Sequence, residues 1–316
     1  MLCVMKRWAA VLAAVVVLSV GVTGCGGAEP SRPAGVPVGA APASSPASAA
    51  APESAPPASP SAGTTTATGG PATGGPAPSD KLTGYISGQP GTIGLVVRDT
   101  VTGSSWQAGN PTHAAWTAST IKLAIATNLL ERNRAGAITL TGGDRENMRK
   151  MLVNSDNNAT DALWEKFDGV GQIPQFKQRY GMATLAVVSG YRAYWRHLQC
   201  SATDLAAAMG YALAKLPTAD RTQLVSWLKA AAGVQQWGVW AAGPDAGHKP
   251  GWAFKPEGNP DHWVVHSVGF AGPGERYVVA VTYDQPKGRS AQQGAQVISD
   301  VVSLAFAKPT KQVNGP

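Results

Sequence analysis

The sequence predicts an α+β fold in which an antiparallel sheet, flanked by helices, is completed by both ends of the folded chain and carries an inserted helical lobe. Paired strand-type segments open the foldable region, helical periodicity fills its middle, and two further strand segments precede a last amphipathic helix. With 316 residues, 44% of them hydrophobic, the chain is long enough for one sizeable core. A sheet built from both ends of a chain requires the helical middle to leave it and return.

The first 24 residues have the pattern of a secretory signal peptide. Two basic residues precede an apolar run from Trp8 to Val20, which is too short to span a bilayer comfortably. The run leads to "VTGC", which resembles a bacterial lipobox, and the resemblance implies that Cys25 becomes the lipidated mature N-terminus. Cleavage by an ordinary signal peptidase, with Cys25 incidental, is the alternative. We therefore expect an extracytoplasmic protein anchored to the cell membrane through Cys25.

Residues 25–79 have the composition of a disordered tether. They are almost entirely Ala, Pro, Ser, Gly and Thr, with three charged residues and no aromatic residue. Such a segment cannot bury enough apolar surface to fold. At this length it would average roughly 45 Å end to end if flexible, and about 150 Å if drawn into polyproline II. The folded domain is therefore expected at residues 80–316, held away from the membrane.

Charge and cysteine content exclude several classes of protein. The formal charge of +7 includes two basic residues of the signal, and nothing resembles a clustered nucleic-acid-binding face. Removing Cys3 with the signal and assigning Cys25 to a lipid leaves Cys200 without a disulfide partner, and its apolar neighbours predict a small buried side chain. No spacing of Cys and His predicts a metal site, and no glycine-rich loop predicts a phosphate site. We expect no metal, no cofactor and no nucleic acid partner.

The individual elements follow from periodicity and from turn and capping signals. A strand is predicted at 93–97, followed by a turn and a return strand that ends near Gln107. Two further strands are predicted in "HWVVHSVGF" and "RYVVAVTYD". Helices are predicted from Ile121 to the cap at Gly136, from Asp144, from about Asn157, near 171–180, 202–215 and 219–232, and over 291–307. The segment "HKPGW" is expected to begin a strand near the sheet edge.

The stretch "TASTIK" places a serine and a lysine three residues apart at the start of an apolar helix. Side chains at that spacing share one helix face. Ser119 would lie in the positive end of the helix dipole with its own N–H free. Burial of Lys122 would lower its pKa, and a neutral amine can take the serine proton. A bare S-x-x-K arises on the order of once by chance in such a chain, so further motifs are needed.

Two further motifs occur in the expected order. "SDN" at 155–157 lies at the break between two predicted helices, and "KPGW" at 249–252 lies where a strand is expected to begin near the sheet edge. Together with "STIK" they resemble the three motifs of the serine β-lactamase and penicillin-binding protein superfamily, and class A β-lactamase-like actinobacterial lipoproteins in particular. The resemblance covers about residues 85–307. It implies the β-lactamase/transpeptidase-like fold and a serine hydrolase of the cell envelope.

The resemblance also implies a role for each matching residue. Ser119 would be the nucleophile that forms an acyl-enzyme with a β-lactam or a peptidoglycan-type D-alanyl peptide, and Lys122 would be its base. Ser155 would pass a proton to the leaving nitrogen, and Lys249 would attract the substrate carboxylate. The substrate-binding residues would be Asn157, Gly251 and Trp252. The N–H groups of Ser119 and Trp252 would form the oxyanion hole, and Asp156 is expected to cap a helix.

Two departures from the superfamily pattern affect the predicted function. No glutamate occurs from Lys166 to Pro256, so the residue that activates the deacylating water in class A β-lactamases is missing. Pro250 replaces the Thr or Ser whose hydroxyl binds the substrate carboxylate, so carboxylate recognition should be altered or weak. The acids available in that region are Asp168, Asp204, Asp220 and Asp245.

Three functions remain compatible with these observations. The first is a serine acyl-transfer hydrolase that binds penicillins and deacylates slowly. The second is a true β-lactamase with a different water activator, and the third is a catalytically idle envelope binding module.

Near the third motif, His248 could line the cleft and His266 is expected to be structural. The nearby tryptophans could form a ligand wall or core, and they are Trp237, Trp240 and Trp252.

Overall fold

A computed structural model of the chain describes residues 75–255 and 261–316. The predicted signal peptide, Cys25 and residues 26–74 of the predicted tether lie outside the described residues, so these assignments stay predictions.

Helix α1, Asp80–Ser87, is the first element; Ser79 caps it by accepting a hydrogen bond from the Leu82 amide at 3.2 Å. Across the described residues, no helix combines the length and apolarity that crossing a bilayer requires.

Five antiparallel strands form the main sheet in the order β2-β1-β8-β7-β6. Their bounds are β1 Thr92–Asp99, β2 Ser105–Gly109, β6 Gly247–Lys255, β7 His262–Ala271 and β8 Tyr277–Asp284. Strand β1 pairs with β8 in the register Val96 opposite Ala280, so the two ends of the domain complete one sheet. Strand β6 therefore forms one edge, and the predicted fold class with its antiparallel sheet is confirmed.

Both faces of the sheet are covered by helices, and the alternation of side chains along β8 shows how. Val279 and Val281 belong to a core on the side of helix α8, Ala291–Ala305. Val278 and Ala280 belong to the core on the opposite side, against helix α6, Ala202–Lys215. Burial of such apolar side chains stabilises the fold by about 1.5–3 kcal/mol each.

The helical lobe lies between β2 and β6 in the chain. Its helices are α2 Lys122–Arg134, α3 Gly142–Val153, α4 Asn157–Lys166, α5 Gly169–Gln178, α6 and α7 Thr218–Lys229. Helix α2 is buried on all sides from Lys122 to Leu130, as its continuous apolar pattern predicts. Its neighbours in the lobe shield it from water and fix its N-terminal end beside the sheet.

A small second sheet was not predicted from the sequence. Its strands are β3 Ala115–Trp116, β4 Ala186–Val187 and β5 Leu198–Cys200, in the order β3-β5-β4. Two or three residues carry too little periodicity to identify a strand. This sheet matters because β3 directly precedes Ser119, and β5 ties that segment to the loop between α5 and α6.

Candidate active site

Ser119 lies in a 3₁₀ turn, Ala118–Ile121, that leads directly into α2. The backbone before it is held by the Thr117 amide, which donates to Leu198 O at 2.8 Å. Ala118 has φ = 47°, a left-handed conformation that costs a non-glycine residue on the order of 1 kcal/mol. Among the described residues, nothing accepts a hydrogen bond from the Ser119 amide. The nucleophile candidate is therefore presented on a strained turn with a free N–H beside it.

Edge strand β6 lies against this turn at Gly251. A Cβ at Gly251 would lie 2.7 Å from the amide nitrogens of both Ser119 and Thr120, closer than real Cβ contacts allow. Pro250 has no N–H to give to β7, so its nitrogen belongs on the outward edge of β6, where a ladder bond is not required. Because N–H directions alternate along a strand, the Trp252 amide shares that outward edge. The arrangement can supply two amide donors to one oxyanion.

Lys122 is fully buried, and three acceptors surround its amine. Nζ lies 2.8 Å from Ser155 O, 3.3 Å from Ser155 Oγ and 2.9 Å from Asn157 Oδ1. It also lies 4.7 Å above the Trp195 ring. An ammonium has three N–H donors, and all three are used here without reaching Ser119 Oγ. The predicted contact between Ser119 and Lys122 is absent from the described geometry.

The pKa of Lys122 is lowered to about 7. Burial is the largest cause, and the positive charge of Arg196 adds to it. The carboxylates of Asp156 and Asp161 act in the opposite direction without cancelling the effect. A substantial fraction of the amine is therefore neutral near pH 7, which is the form that can act as a base.

Lys249, on β6, is also fully buried, and its Nζ contacts Ser155 as well. Nζ donates to Ser155 Oγ at 3.0 Å, Gln235 Oε1 at 2.9 Å and Pro250 O at 2.8 Å. Burial, and then the nearby charge of Lys122, lower the pKa of Lys249 well below its usual range. Ser155 Oγ thus accepts from two buried amines, and within the described residues neither amine pairs with a carboxylate.

The "SDN" motif forms the link between α3 and α4. Ser155 has φ = 55°, and this left-handed turn brings both its Oγ and its carbonyl oxygen to the Lys122 amine. Asp156 caps α4 by accepting from the Ala159 amide at 2.9 Å, as predicted. Asn157 is the first residue of α4 and is exposed. One short turn therefore places a serine and an amide beside the same lysine.

Ser119 opens into a cavity of about 300 Å³ with largely aromatic walls. The lining residues are Trp116, Ala118, Ser119, Asn157, Tyr191, Trp195, Arg196, His197, Trp252, Ala253 and Phe254. Gly251 and Lys249 do not line it. Among the described lining residues, Arg196 is the one with a permanent positive charge, and none is acidic. The cavity therefore combines an apolar wall with a positive potential.

The four aspartates that could have replaced the missing glutamate have other roles in the described structure. Asp168 caps α5, and Asp204 completes the capping box of α6 by accepting from the Ser201 amide. Asp220 pairs with Arg134 at 3.0 Å, and Asp245 is exposed. None of them lines the cavity. A carboxylate that could activate water is missing from the described cavity wall.

Sequence reasoning missed the residues on the 3₁₀ turn Trp195–His197. Asp161 on α4 holds this turn: it accepts from Trp195 Nε1 at 2.7 Å, from Arg196 Nη2 at 3.1 Å and from the Tyr194 hydroxyl. The aromatic and basic run "YWRH" within a loop was the available signal. Its position relative to Ser119 depends on the β3–β5 pairing, which the sequence did not predict.

The histidines and tryptophans near the third motif divide between core and cavity. His248 is fully buried with Nδ1 2.9 Å from Ser267 Oγ, so the expectation that it lines the cleft is wrong. His266 is structural, as expected, because Nε2 lies 2.9 Å from Trp116 O and Nδ1 accepts from the Tyr283 amide. Trp237 and Trp240 lie outside the cavity wall, and Trp252 lines it.

Cys200 is buried and unpaired, which confirms its prediction as a small core residue. Burial raises the pKa of its thiol well above the usual value. A buried neutral thiol is a poor nucleophile. Cys200 is therefore a packing residue of β5 rather than part of the site.

Comparison with known proteins gives two kinds of match. A family model described as "Beta-lactamase enzyme family" matches residues 77–142 and 145–308. "Putative lipoprotein LppW" of Mycobacterium tuberculosis and of Mycobacterium bovis is 35% identical over 114 residues, which are 36% of this chain. The chain spans 35% of the length of these curated relatives.

Among solved structures, a class A β-lactamase from Mycobacterium abscessus aligns with a TM-score of 0.57 and 21% identity, covering 72% of this chain and 97% of the other. A class A β-lactamase of the last common ancestor of Gram-negative bacteria aligns with a TM-score of 0.58 and 20% identity, again covering 72% and 97%. These likenesses confirm the class A β-lactamase-like fold. The family match extends over most of the chain and includes all three motif segments, and the chain belongs to the beta-lactamase enzyme family.

Proposed function

We propose that this chain is a membrane-anchored serine hydrolase in which Ser119 forms an acyl-enzyme with a β-lactam or a D-alanyl-peptide-like substrate. Membership of the family and the fold support a β-lactamase-like serine hydrolase. The observation that carries the proposal is the hydrogen-bonded chain from Lys122 through Ser155 to Lys249, beside the serine at the head of α2. Two buried amines on one hydroxyl are costly as a purely structural feature.

Deprotonation of Lys122 is the step that would activate Ser119. The ammonium satisfies three acceptors, but a neutral amine has only two N–H bonds and one lone pair. One of the contacts to Ser155 or Asn157 is then released, and the lone pair can turn to the Ser119 hydroxyl. Catalytic hydrogen bonds are often long in the absence of substrate and tighten when it binds. A pKa of about 7 makes this form accessible at neutral pH.

Bond breaking in the substrate would use the same group of residues. Attack by Ser119 Oγ places negative charge on the carbonyl oxygen, which the amides of Ser119 and Trp252 would stabilise, a contribution of about 3 kcal/mol per donor. Ser155 Oγ accepts from both lysines and keeps its own proton, which it would deliver to the leaving nitrogen. The proton removed from Ser119 returns through Lys122 to Ser155, so the step balances.

Substrate recognition should differ from the superfamily pattern at the carboxylate. Pro250 lacks the usual hydroxyl, and the three donors of Lys249 are already satisfied inside the protein. Arg196 lines the cavity, and its guanidinium gives one hydrogen bond to Asp161, which leaves other N–H groups available. We expect a substrate carboxylate to bind toward Arg196, while an apolar or planar group lies against Trp116 and Trp252.

Localisation is part of the same proposal. A signal peptide and a lipidated Cys25 would place the domain outside the cytoplasm at the end of its tether. The relatives in Mycobacterium species whose name contains "lipoprotein" support this assignment. The domain would then act on a small-molecule or peptidoglycan-type substrate in the envelope. Its anchor would attach it to the membrane.

A binding module without catalysis is the second candidate. It is favoured by one observation, the absence of a hydrogen bond between Ser119 Oγ and either Lys122 or Ser155 among the described residues. In this case the cavity would hold an envelope ligand without acylation.

Intact mass spectrometry of the full chain with a penicillin, followed over hours, separates the candidates. The proposal expects a covalent adduct on Ser119 that Ser119→Ala abolishes and that the exposed turn variant Ser104→Ala retains. A persistent adduct indicates a penicillin-binding enzyme, and drug loss without a lasting adduct indicates a β-lactamase. If the chain with its natural serine forms no adduct and causes no drug loss, the proposal is refuted and the binding module is favoured.

A further inference from the structure

His197 lines the same cavity as Ser119 and is the histidine among the described lining residues. It ends the 3₁₀ turn Trp195–His197 and is half-buried. The next residue, Leu198, accepts through its carbonyl from the Thr117 amide at 2.8 Å, and Thr117 lies two residues before Ser119. The β3–β5 pairing therefore fixes the backbone of His197 relative to the nucleophile.

The proton on the His197 ring is assigned by its hydrogen bond. Nδ1 lies 3.2 Å from Arg192 O. A carbonyl oxygen only accepts, so Nδ1 is the N–H of the neutral ring and Nε2 carries the lone pair. Within the part of the chain that the structure describes, Nε2 has no hydrogen-bond partner. His197 thus has an available basic nitrogen.

Three aromatic rings hold this imidazole in place. Its centroid lies 6.2 Å from Trp116, 4.6 Å from Tyr191 and 5.6 Å from Tyr194. Asp161 fixes the turn from the other side through Trp195 Nε1. A side chain whose orientation is set by packing and by hydrogen bonds meets the positional demand of general-base catalysis.

Other bases are missing from the described cavity wall. No Asp or Glu lines it. Lys122 is held by Ser155 and Asn157, and it is not among the described residues that line the cavity. The remaining polar groups are hydroxyls, an amide and the guanidinium of Arg196, and none of these is a base at neutral pH.

We propose that His197 is the general base that hydrolyses the acyl-enzyme, replacing the glutamate of class A β-lactamases; this rests on the proposed acylation of Ser119. Nε2 takes one proton from a water molecule, and the water oxygen attacks the ester carbonyl carbon to give a tetrahedral oxyanion. The oxyanion collapses, the bond from carbon to Ser119 Oγ breaks, and Oγ regains the proton from the imidazolium. The products are a carboxylic acid and the free serine, which balances the hydrolysis.

The test follows formation and loss of the Ser119 adduct separately, by intact mass, in the full chain. Acyl donors are a penicillin and a nitrophenyl ester, so that one unsuitable leaving group does not decide the result. His197→Gln should form the adduct at about the natural rate and lengthen its lifetime about 100-fold, within the usual range for loss of a general base. His113→Gln is the matched control, because His113 pairs with Asp284 outside the cavity.

Chemical rescue distinguishes a general-base role of His197 from a purely structural one. His197→Ala leaves room beside Trp116 and Tyr191, and added imidazole should shorten the adduct lifetime in this variant but not in His113→Gln. An adduct lifetime in His197→Gln equal to the natural one, or no response of His197→Ala to imidazole, overturns the inference and leaves the acylation proposal intact. If neither donor gives a Ser119-dependent adduct in the natural chain, both proposals fail together.

Discussion

Substitution of Gly251 by alanine tests the close contact between β6 and the nucleophile turn. The added Cβ would meet the amide nitrogens of Ser119 and Thr120 at 2.7 Å, which is 0.7 Å less than the 3.4 Å at which ordinary contact begins. Both neighbours are backbone atoms at the head of a buried helix, so neither can rotate away. Overpacking of this kind costs about 1–3 kcal/mol. A displacement approaching 1 Å at a reacting group lowers rates by as much as about 100-fold.

The assay measures the rate of Ser119 acylation by intact mass and the melting temperature by circular dichroism. We expect Gly251→Ala to acylate about 10- to 100-fold more slowly and to melt about 2–10 °C lower. Gly233→Ala is the matched control, because a Cβ there meets nothing within 4 Å. If Gly251→Ala acylates and melts like Gly233→Ala, the edge strand does not set the geometry of the nucleophile and the oxyanion-hole argument is refuted.

Three further predictions concern the lysine, the helix cap and the thiol. Because Lys122 must be neutral to act and its pKa is lowered to about 7, the acylation rate should rise about tenfold per pH unit below 7 and level off above it; a flat profile from pH 5 to 9 contradicts this role. Asp156→Ala should lower the free energy of unfolding in urea by about 1 kcal/mol, and exposed Asp245→Ala should leave it unchanged. Cys200 should resist alkylation, followed by peptide mapping, until the domain unfolds; rapid labelling of the folded chain would show that β5 is not buried.

Much of the fold could be predicted because its strong signals are local. The apolar run of α2, the paired strand segments at both ends and the amphipathic last helix each carry their period within one element. The sheet then followed from the requirement that apolar faces be covered. The spacing of Ser119 and Lys122 is a local signal too, but the structure places Ser119 in a 3₁₀ turn ahead of α2, and no hydrogen bond of the described residues joins it to Lys122.

The parts that were not predicted depend on contacts between distant residues. Strand β3 pairs with β5 about 80 residues away, and no local pattern reports that pairing. It carries the segment with Arg196 and His197 to the cavity, so two candidate functional residues were missed. The left-handed backbone at Ala118 and Ser155 could not be expected either, because neither residue type favours it. Non-local pairing and backbone strain are thus concentrated at the candidate site.

The two lysines also constrain each other through charge. Both amines contact Ser155 Oγ, at 3.3 and 3.0 Å, so they are no further apart than the sum of those distances, 6.3 Å. At an effective dielectric constant of about 20, two unit charges at that separation repel by roughly 3 kcal/mol. Loss of one proton relieves this repulsion, so the pair favours one neutral amine beside Ser155, and its titration belongs to both residues.

This coupling predicts the effect of removing the second charge. The charge of Lys122 lowers the pKa of Lys249, whereas the lowered pKa of Lys122 comes from burial and from Arg196, so Lys249→Met should leave the midpoint of the acylation pH profile near 7. The rate should fall at every pH because Ser155 Oγ loses one of its two donors. Exposed Lys215→Met is the control for loss of a lysine elsewhere and should leave the profile unchanged. A midpoint that moves to higher pH in Lys249→Met would show that the charge of Lys249 acts on Lys122, and would contradict the assignment of its lowered pKa to burial and Arg196.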